Sequence, residues 1–223
     1  MKPRLLDLFC GAGGAAMGYH RAGFDVVGVD NRPQKHYPFE FIQADALEYL
    51  REHGAEYDAI HASPPCQGYS SVRTMPNTAA FRGEVPMLIP DVRELLVSTG
   101  KPYVIENVYG ARFVMVDPVM LCGLTFGLRM FRHRLFEANF FILQPAHPSH
   151  RGLRVGEGGM VSMYGHGDSG RGRVPWDHRH VASWKAASGI DWMTRDEMSQ
   201  AIPPAYTEFI GRRLLAELQI PQH

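Results

Sequence analysis

Cysteine is scarce in this chain. Cys10, Cys66 and Cys122 are the only three in 223 residues, odd in number and far apart, which excludes a disulfide framework and reads as reduced thiols in a cytoplasmic setting. No apolar run is long enough to span a bilayer, and the first residues lack the charged-then-apolar pattern of a leader. Net charge is also missing: 23 Lys+Arg balance 23 Asp+Glu, so the chain as a whole is neither a polybasic arm nor an acidic tail. A G-x-G-x-x-G fingerprint is absent, because Gly11, Gly13 and Gly14 follow G-x-G-G, a poorer cradle for a pyrophosphate. What remains is 45% hydrophobic and 21% charged, ordinary for a globular protein and enough for one large α/β domain or a domain with a small lobe.

Residues 4–9 read as a strand, Cys10–Gly14 as a glycine-rich turn and 15–22 as a helix stopped by Gly23. A second strand, 24–29, ends at Asp30, 19 residues beyond Gly11. This is a βαβ unit in which glycines admit a ligand to the backbone and a terminal carboxylate can accept ribose hydroxyls. It suits a nucleoside-bearing cofactor, with a purely structural turn as the alternative. A third strand at 39–42 leads to Asp45, which is either a plain helix N-cap or a contact for an adenine ring. The fourth strand, 57–62, runs into Ser63-Pro64-Pro65-Cys66-Gln67-Gly68-Tyr69-Ser70. Two prolines end the sheet there, so Cys66 stands on a stiff turn beyond a strand end. Amides aimed at its sulfur would lower the thiol pKa and make it a nucleophile; a buried structural cysteine is the other reading. Residues 68–86 read as a long polar loop, and loops of that length usually serve function.

A helix at 90–99 and a fifth strand at 102–108 follow. Glu106 lies near the end of that strand, where a buried carboxyl is costly unless it is paired or used. Residues 119–128 and 134–143 alternate as a hairpin, and Arg132 and Arg134, two apart, would share one face of a strand. Between 129 and 180 stand eight arginines against four acids, a local excess suited to phosphate and base contacts, with six histidines. Eight glycines fall in 152–172, and Trp176, Trp184 and Trp192 all lie close by. The stretch 144–194 reads as a small loop-rich lobe. Zinc binding by His147, His150, His166, His178 and His180 is disfavoured, because no cysteine accompanies them and their spacing fits no tight motif, so no metal is expected. Pro203-Pro204 opens a last helix at about 205–218. In a mostly parallel sheet the glycine turn, Asp30, Asp45, Cys66 and Glu106 all fall past strand carboxyl ends and converge on one edge.

Five segments together resemble the cytosine-C5 DNA methyltransferase family: Asp7-Leu8-Phe9-Cys10-Gly11-Ala12-Gly13-Gly14, Ser63-Pro64-Pro65-Cys66-Gln67, Glu106-Asn107-Val108, Arg132-His133-Arg134 and Ala201-Ile202-Pro203-Pro204. They occur in the family's order. The resemblance implies a Rossmann-like S-adenosylmethionine-dependent fold, with residues 1–143 as catalytic and cofactor domain, 144–194 as target-recognition lobe and 195–223 returning to the catalytic domain. Phe9, Gly11, Gly13, Gly14, Asp30, Asp45, Pro65, Ala201 and Ile202 would line the cofactor. Cys66 would add to cytosine C6, Glu106 would donate to N3, and Arg132 and Arg134 would brace the base, the thiolate or the carboxylate. Gln67 and Ser70 would meet the surroundings of a cytosine flipped from double-stranded DNA, under a 68–86 lid.

Three positions depart from the family pattern. Met130 stands where glutamine is usual, Gln200 where asparagine is usual, and Asp30 where glutamate is usual. The short lobe resembles that of phage-encoded methylases, working as a monomer. The alternatives are cytosine methylation in tRNA, a DNA-binding relative without activity, and a nicotinamide-dependent oxidoreductase.

Overall fold

In the computed structural model of the chain, residues 1–69, 87–163 and 181–220 are described. The strands are β1 (Arg4–Leu8), β2 (Asp25–Asp30), β3 (Glu40–Gln43), β4 (Ala59–Ala62), β5 (Tyr103–Asn107), β6 (Val119–Leu121) and β7 (Arg134–Ala138). The helices are α1 (Gly14–Ala22), α2 (Ala46–His53), α3 (Ile89–Ser98), α4 (Val181–Ser188), α5 (Arg195–Gln200) and α6 (Pro204–Leu218). One seven-stranded sheet runs in the order β3-β2-β1-β4-β5-β7-β6. Strands β1 to β5 are mutually parallel and β7 is antiparallel to both its neighbours.

The central strands are nearly continuous apolar runs, so both sheet faces need covering. Leu6, Leu8, Val27, Val29, Ile60 and Ile105 face α2 and α3 in one core. Leu5, Val26, Ala59, Val104 and Phe136 face α1 and α6 in the other. Each wholly buried aliphatic side chain contributes about 1.5–3 kcal/mol. Helices α1 and α6 cross closely because Gly18 offers no side chain, and a Cβ there would stand 2.0 Å from Thr207 Oγ1. The same Thr207 hydroxyl donates to the Ala15 carbonyl at 2.8 Å. None of the described helices is long and apolar enough to cross a membrane.

The sequence-based elements recur with their ends moved by a residue or two, except in the hairpin and the lobe. The strand expected over 119–128 stops at Leu121, because Gly123–Phe126 tightens into a 3-10 turn closed by Gly127 at φ 70°. The strand expected over 134–143 stops at Ala138. There the Asn139 side chain accepts from the Tyr103 amide and donates to the Lys101 carbonyl, closing the β5 edge. The segment read as loop-rich contains α4, whose alanines favour helix and which Gly189 ends at φ 70°. Helix α5 opens with a capping box in which Thr194 Oγ1 accepts from Glu197 N and Glu197 Oε2 accepts from Thr194 N.

Candidate active site

Beyond β1 the chain turns through Phe9 at φ 57°, Gly11 at 49° and Gly13 at 83°. For Phe9 this left-handed backbone is strained, and strain of this kind collects at ligand sites. The Gly11 amide donates to Asp30 Oδ2 at 3.1 Å and the Arg32 amide to Asp30 Oδ1 at 3.0 Å, so the carboxylate at the end of β2 holds the glycine turn. Beside Gly11 lies open space, with nothing among the described residues within 4 Å of where a Cβ would stand. At Gly14 the neighbour is backbone: a Cβ would lie 2.4 Å from the Ile202 carbonyl and 3.3 Å from Ala201 Cβ. The α5–α6 connection therefore closes over the start of α1. Trp192 adds a bond from its indole N–H to the Ala12 carbonyl at 2.8 Å. An open cradle with a carboxylate at its rim fits a nucleoside cofactor, because a carboxylate that accepts two amides still has lone pairs for hydroxyls. Asp45 is exposed and serves as N-cap through Oδ1 alone, accepting from Leu47 N and Glu48 N. Its Oδ2 takes no hydrogen bond among the described residues, so the cap and an adenine contact are compatible.

The second wall is the Pro-Pro-Cys turn beyond β4. Its Cys66 carbonyl accepts from Tyr69 N at 3.0 Å, and Asn107 Nδ2 donates to the Pro64 carbonyl at 2.9 Å. Asn107 thus staples the cysteine turn to the end of β5, next to Glu106. Sequence reading had not singled it out, although it sits inside the matched Glu-Asn-Val. Pro65 and Cys66 are half-buried and Gln67 is exposed. Ser70, the loop to residue 86, Trp176, His166, His178 and His180 lie outside the described residues.

Glu106 is 6% exposed. Arg134 Nε stands 2.8 Å from Glu106 Oε1, yet among the described residues no N–H is aimed at that oxygen, so the contact is an ion pair that leaves the oxygen open to a further partner. Burial pushes the Glu106 carboxyl above its ordinary value, against the pull of Arg134, Arg132 and the Ser63 hydroxyl. Cys66 moves the same way: burial first, then the Glu106 charge, raise the thiol, while Arg134, the turn amide and Arg132 lower it. The lowered thiol pKa expected from the turn is therefore not the outcome, because burial outweighs one amide. The groups are coupled. A neutral Glu106 no longer repels a thiolate and leaves two arginines that favour it.

The arginines do not share a face, as the sequence had suggested. β7 begins at Arg134, so Arg132 lies before the strand, where it donates to the carbonyls of Met163 and Ser199, both at 2.8 Å. Tyr206 in turn donates to the Arg132 carbonyl. Arg132 ties α5, α6 and the lobe to the site. His61, in the middle of β4, escaped the sequence reading. It is wholly buried, with Tyr19 Oη 3.0 Å from Nδ1 and Ser63 Oγ 2.8 Å from Nε2, and burial holds its pKa down at about 3. This neutral ring fixes the Ser63 hydroxyl beside Glu106; a histidine inside an apolar strand was its one local signal. The ground for expecting no metal also fails in three dimensions, because Cys122 gathers with His133, His147 and His150.

A glycine turn past β1, a stapled cysteine turn past β4 and a buried glutamate–arginine pair within β5 and β7 sit on a Rossmann-like fold of the S-adenosylmethionine-dependent methyltransferase class. Over 99% of the chain and 100% of the other, the fold matches the Entamoeba histolytica methyltransferase EhMeth, at 14% identity and a TM-score of 0.59. Residues 3–112 match the family of C-5 cytosine-specific DNA methylases. Through that segment, just under half of the chain, it is similar to the C-5 cytosine-specific DNA methylases. It is 31% identical over 114 residues to the type II methyltransferase M.FnuDI of Fusobacterium nucleatum, across 48% of this chain and 33% of that one. It is 26% identical over 189 residues to the type II methyltransferase M.AgeI of Thalassovita gelatinovora, across 69% of this chain and 44% of that one. The chain thus spans less than half the length of these curated relatives. The family match implies S-adenosylmethionine as the cofactor, in agreement with the open cradle at Gly11.

Proposed function

We propose that the chain methylates C5 of cytosine in double-stranded DNA through a covalent bond from Cys66 to C6 of the flipped-out base. The observation that carries this reading is the cluster of Cys66, Glu106 and Arg134, with Arg134 Nε 2.8 Å from a Glu106 oxygen that has no aligned donor among the described residues. Cytosine C5 is a poor nucleophile in the aromatic ring. When the Cys66 thiolate adds to C6, the C5–C6 electron pair moves onto C5 and charge builds toward N3. A Glu106 carboxyl whose proton burial favours donates to N3 and offsets that charge. S-adenosylmethionine, when bound, supplies the methyl group as an electrophile. A water molecule then takes the C5 proton, the C–H electron pair re-forms C5=C6, the Cys66 sulfur leaves as thiolate, and the N3 proton returns to Glu106.

The other residues bind and orient. Phe9, Gly11, Gly13, Gly14, Ala201 and Ile202 surround the cradle, Asp30 takes the ribose hydroxyls, Asp45 Oδ2 the adenine amino group, and Pro65 abuts the cofactor from the cysteine turn. Arg134 steadies the base and the thiolate. Arg132 acts as a positioning residue through the carbonyls it holds. Gln67, exposed beside Cys66, meets the flipped nucleotide's surroundings, with Ser70 beyond it. A base inside a stacked duplex cannot reach the sulfur, so it must rotate out. The arginine-rich stretch over 129–180 suits the phosphates, and 144–194 serves as the recognition lobe, in a monomer working where thiols stay reduced.

The experiment is covalent trapping. A duplex carrying 5-fluorocytosine retains fluorine where the C5 proton should leave, so the Cys66–C6 bond persists after methyl transfer. A shifted band with fluorinated duplex and S-adenosylmethionine, absent in Cys66→Ala, is the expected result. Trapping on fluorinated tRNA instead of duplex would assign the substrate to RNA, and no adduct on either would overturn the reading.

A further inference from the structure

The basic, histidine-bearing part of the chain holds a cluster that methyl transfer does not use. Cys122 follows β6, His133 stands between Arg132 and Arg134 at the entry to β7, and His147 and His150 sit on the segment leaving the sheet. One donor atom of each lies within 4.8 Å of every other. Cys122 Sγ is 3.3 Å from His150 Nε2, and His133 Nε2 is 2.9 Å from His147 Nε2. The ring centroids are 5.2 Å apart for His133 and His147, 5.1 Å for His133 and His150, and 4.8 Å for His147 and His150. A tetrahedral Zn²⁺ with bonds of about 2.0–2.1 Å to nitrogen and about 2.3 Å to sulfur spaces its donors roughly 3.3–3.6 Å apart. Imidazoles pointing at one such ion have centroids roughly 5 Å apart. The ring centroids and the Cys122–His150 pair match this spacing, and the remaining donors, from 2.9 Å up to 4.8 Å apart, need shifts of about an ångström or less to meet it.

We propose that Cys122, His133, His147 and His150 form a four-ligand zinc site that pins the 147–150 segment to the β6–β7 hairpin. The donor set suits zinc, since thiolate and imidazole select a soft ion over magnesium or calcium. Cys122 is buried with the Leu124 and Thr125 amides donating toward its sulfur, the second shell that a bound thiolate uses. The Phe131 ring, 4.4 Å from that of His150, covers one side. Four protein ligands leave no open position, so the site is structural. Its consequence for the enzyme runs through His133: fixing that ring fixes the backbone that aims Arg132 and Arg134.

The test uses the full chain, purified without chelator, with metal counted by mass spectrometry and zinc replaced by Co²⁺. One zinc per chain is expected. The cobalt form should show a tetrahedral d–d absorption and a thiolate-to-cobalt charge-transfer band. Cys122→Ser removes the charge-transfer band, Cys66→Ala keeps it, and His147→Asn, at an exposed position, weakens Co²⁺ binding about tenfold or more. Removing the metal lowers the melting temperature of the unaltered chain by more than that of His147→Asn. Failure to retain zinc after incubation with Zn²⁺ and gel filtration would overturn the proposal. So would a cobalt spectrum unaltered in both Cys122→Ser and His147→Asn. Metal content and spectrum are read without methyl transfer, so the outcome is independent of the activity proposed above.

Discussion

Glutamine at position 106 keeps the shape of the glutamate and an N–H for cytosine N3, but removes the proton that titrates. The folded chain holds the Glu106 proton more tightly than the unfolded chain, because burial outweighs Arg134. Its stabilising contribution is therefore fully present below the unfolded carboxylate range and lost as pH rises through the raised folded value. Glu106→Gln lacks this dependence. The stability of the unaltered protein, measured against the variant, should fall as pH rises above the ordinary carboxylate range, by about 1.4 kcal/mol for each tenfold preference for the protonated form. Urea midpoints of both proteins across that rise supply the measurement. Cys66, raised above its ordinary value, stays protonated throughout and adds no slope. His61 titrates alike in both proteins. In single-turnover assays the variant should lose about 10²–10⁴ in methyl transfer, as expected for removal of a general acid. An unaltered protein that gains on the variant with rising pH would refute the reasoning: Arg134 would then dominate, and Glu106 would be an anion unable to donate.

Cys66→Ala should abolish methyl transfer while calorimetric binding of S-adenosylmethionine survives, and residual turnover would remove the cysteine from the chemistry. Gly13→Ala forces an L side chain to φ 83° with its Cβ 2.7 Å from Pro38 Cδ. It should cost about 1–2 kcal/mol of stability and weaken cofactor binding in the same titration. Arg93→Met strips Glu137, 2% exposed, of the guanidinium that meets both its oxygens at 2.5 and 2.7 Å. The loss should be about 3–5 kcal/mol by urea denaturation, and a cost below about 1 kcal/mol would show that the Val116 amide alone satisfies that carboxylate.

The sequence by itself determined what is local. Strand periods, the glycine turn, the proline stop before Cys66 and the buried acid at Glu106 each depend on a few neighbouring residues, so they were legible; the two turns lie past β1 and β4 as expected, whereas Glu106 is still inside β5 rather than beyond it. The Thr194–Glu197 capping box and the alanines of α4 were equally local and went unread. Tertiary structure alone decided the partners. Arg132 and Arg134 look alike two residues apart, yet one reaches carbonyls 31 and 67 residues away and the other a glutamate across the sheet. His61 became a neutral strut because the fold surrounds it with Tyr19 and Ser63. Cys122 met three histidines because β6 and β7 pair antiparallel, bringing together residues whose spacing matches no motif. Backbone preference is fixed by neighbours in the chain, whereas charge state and ligation are fixed by neighbours in space.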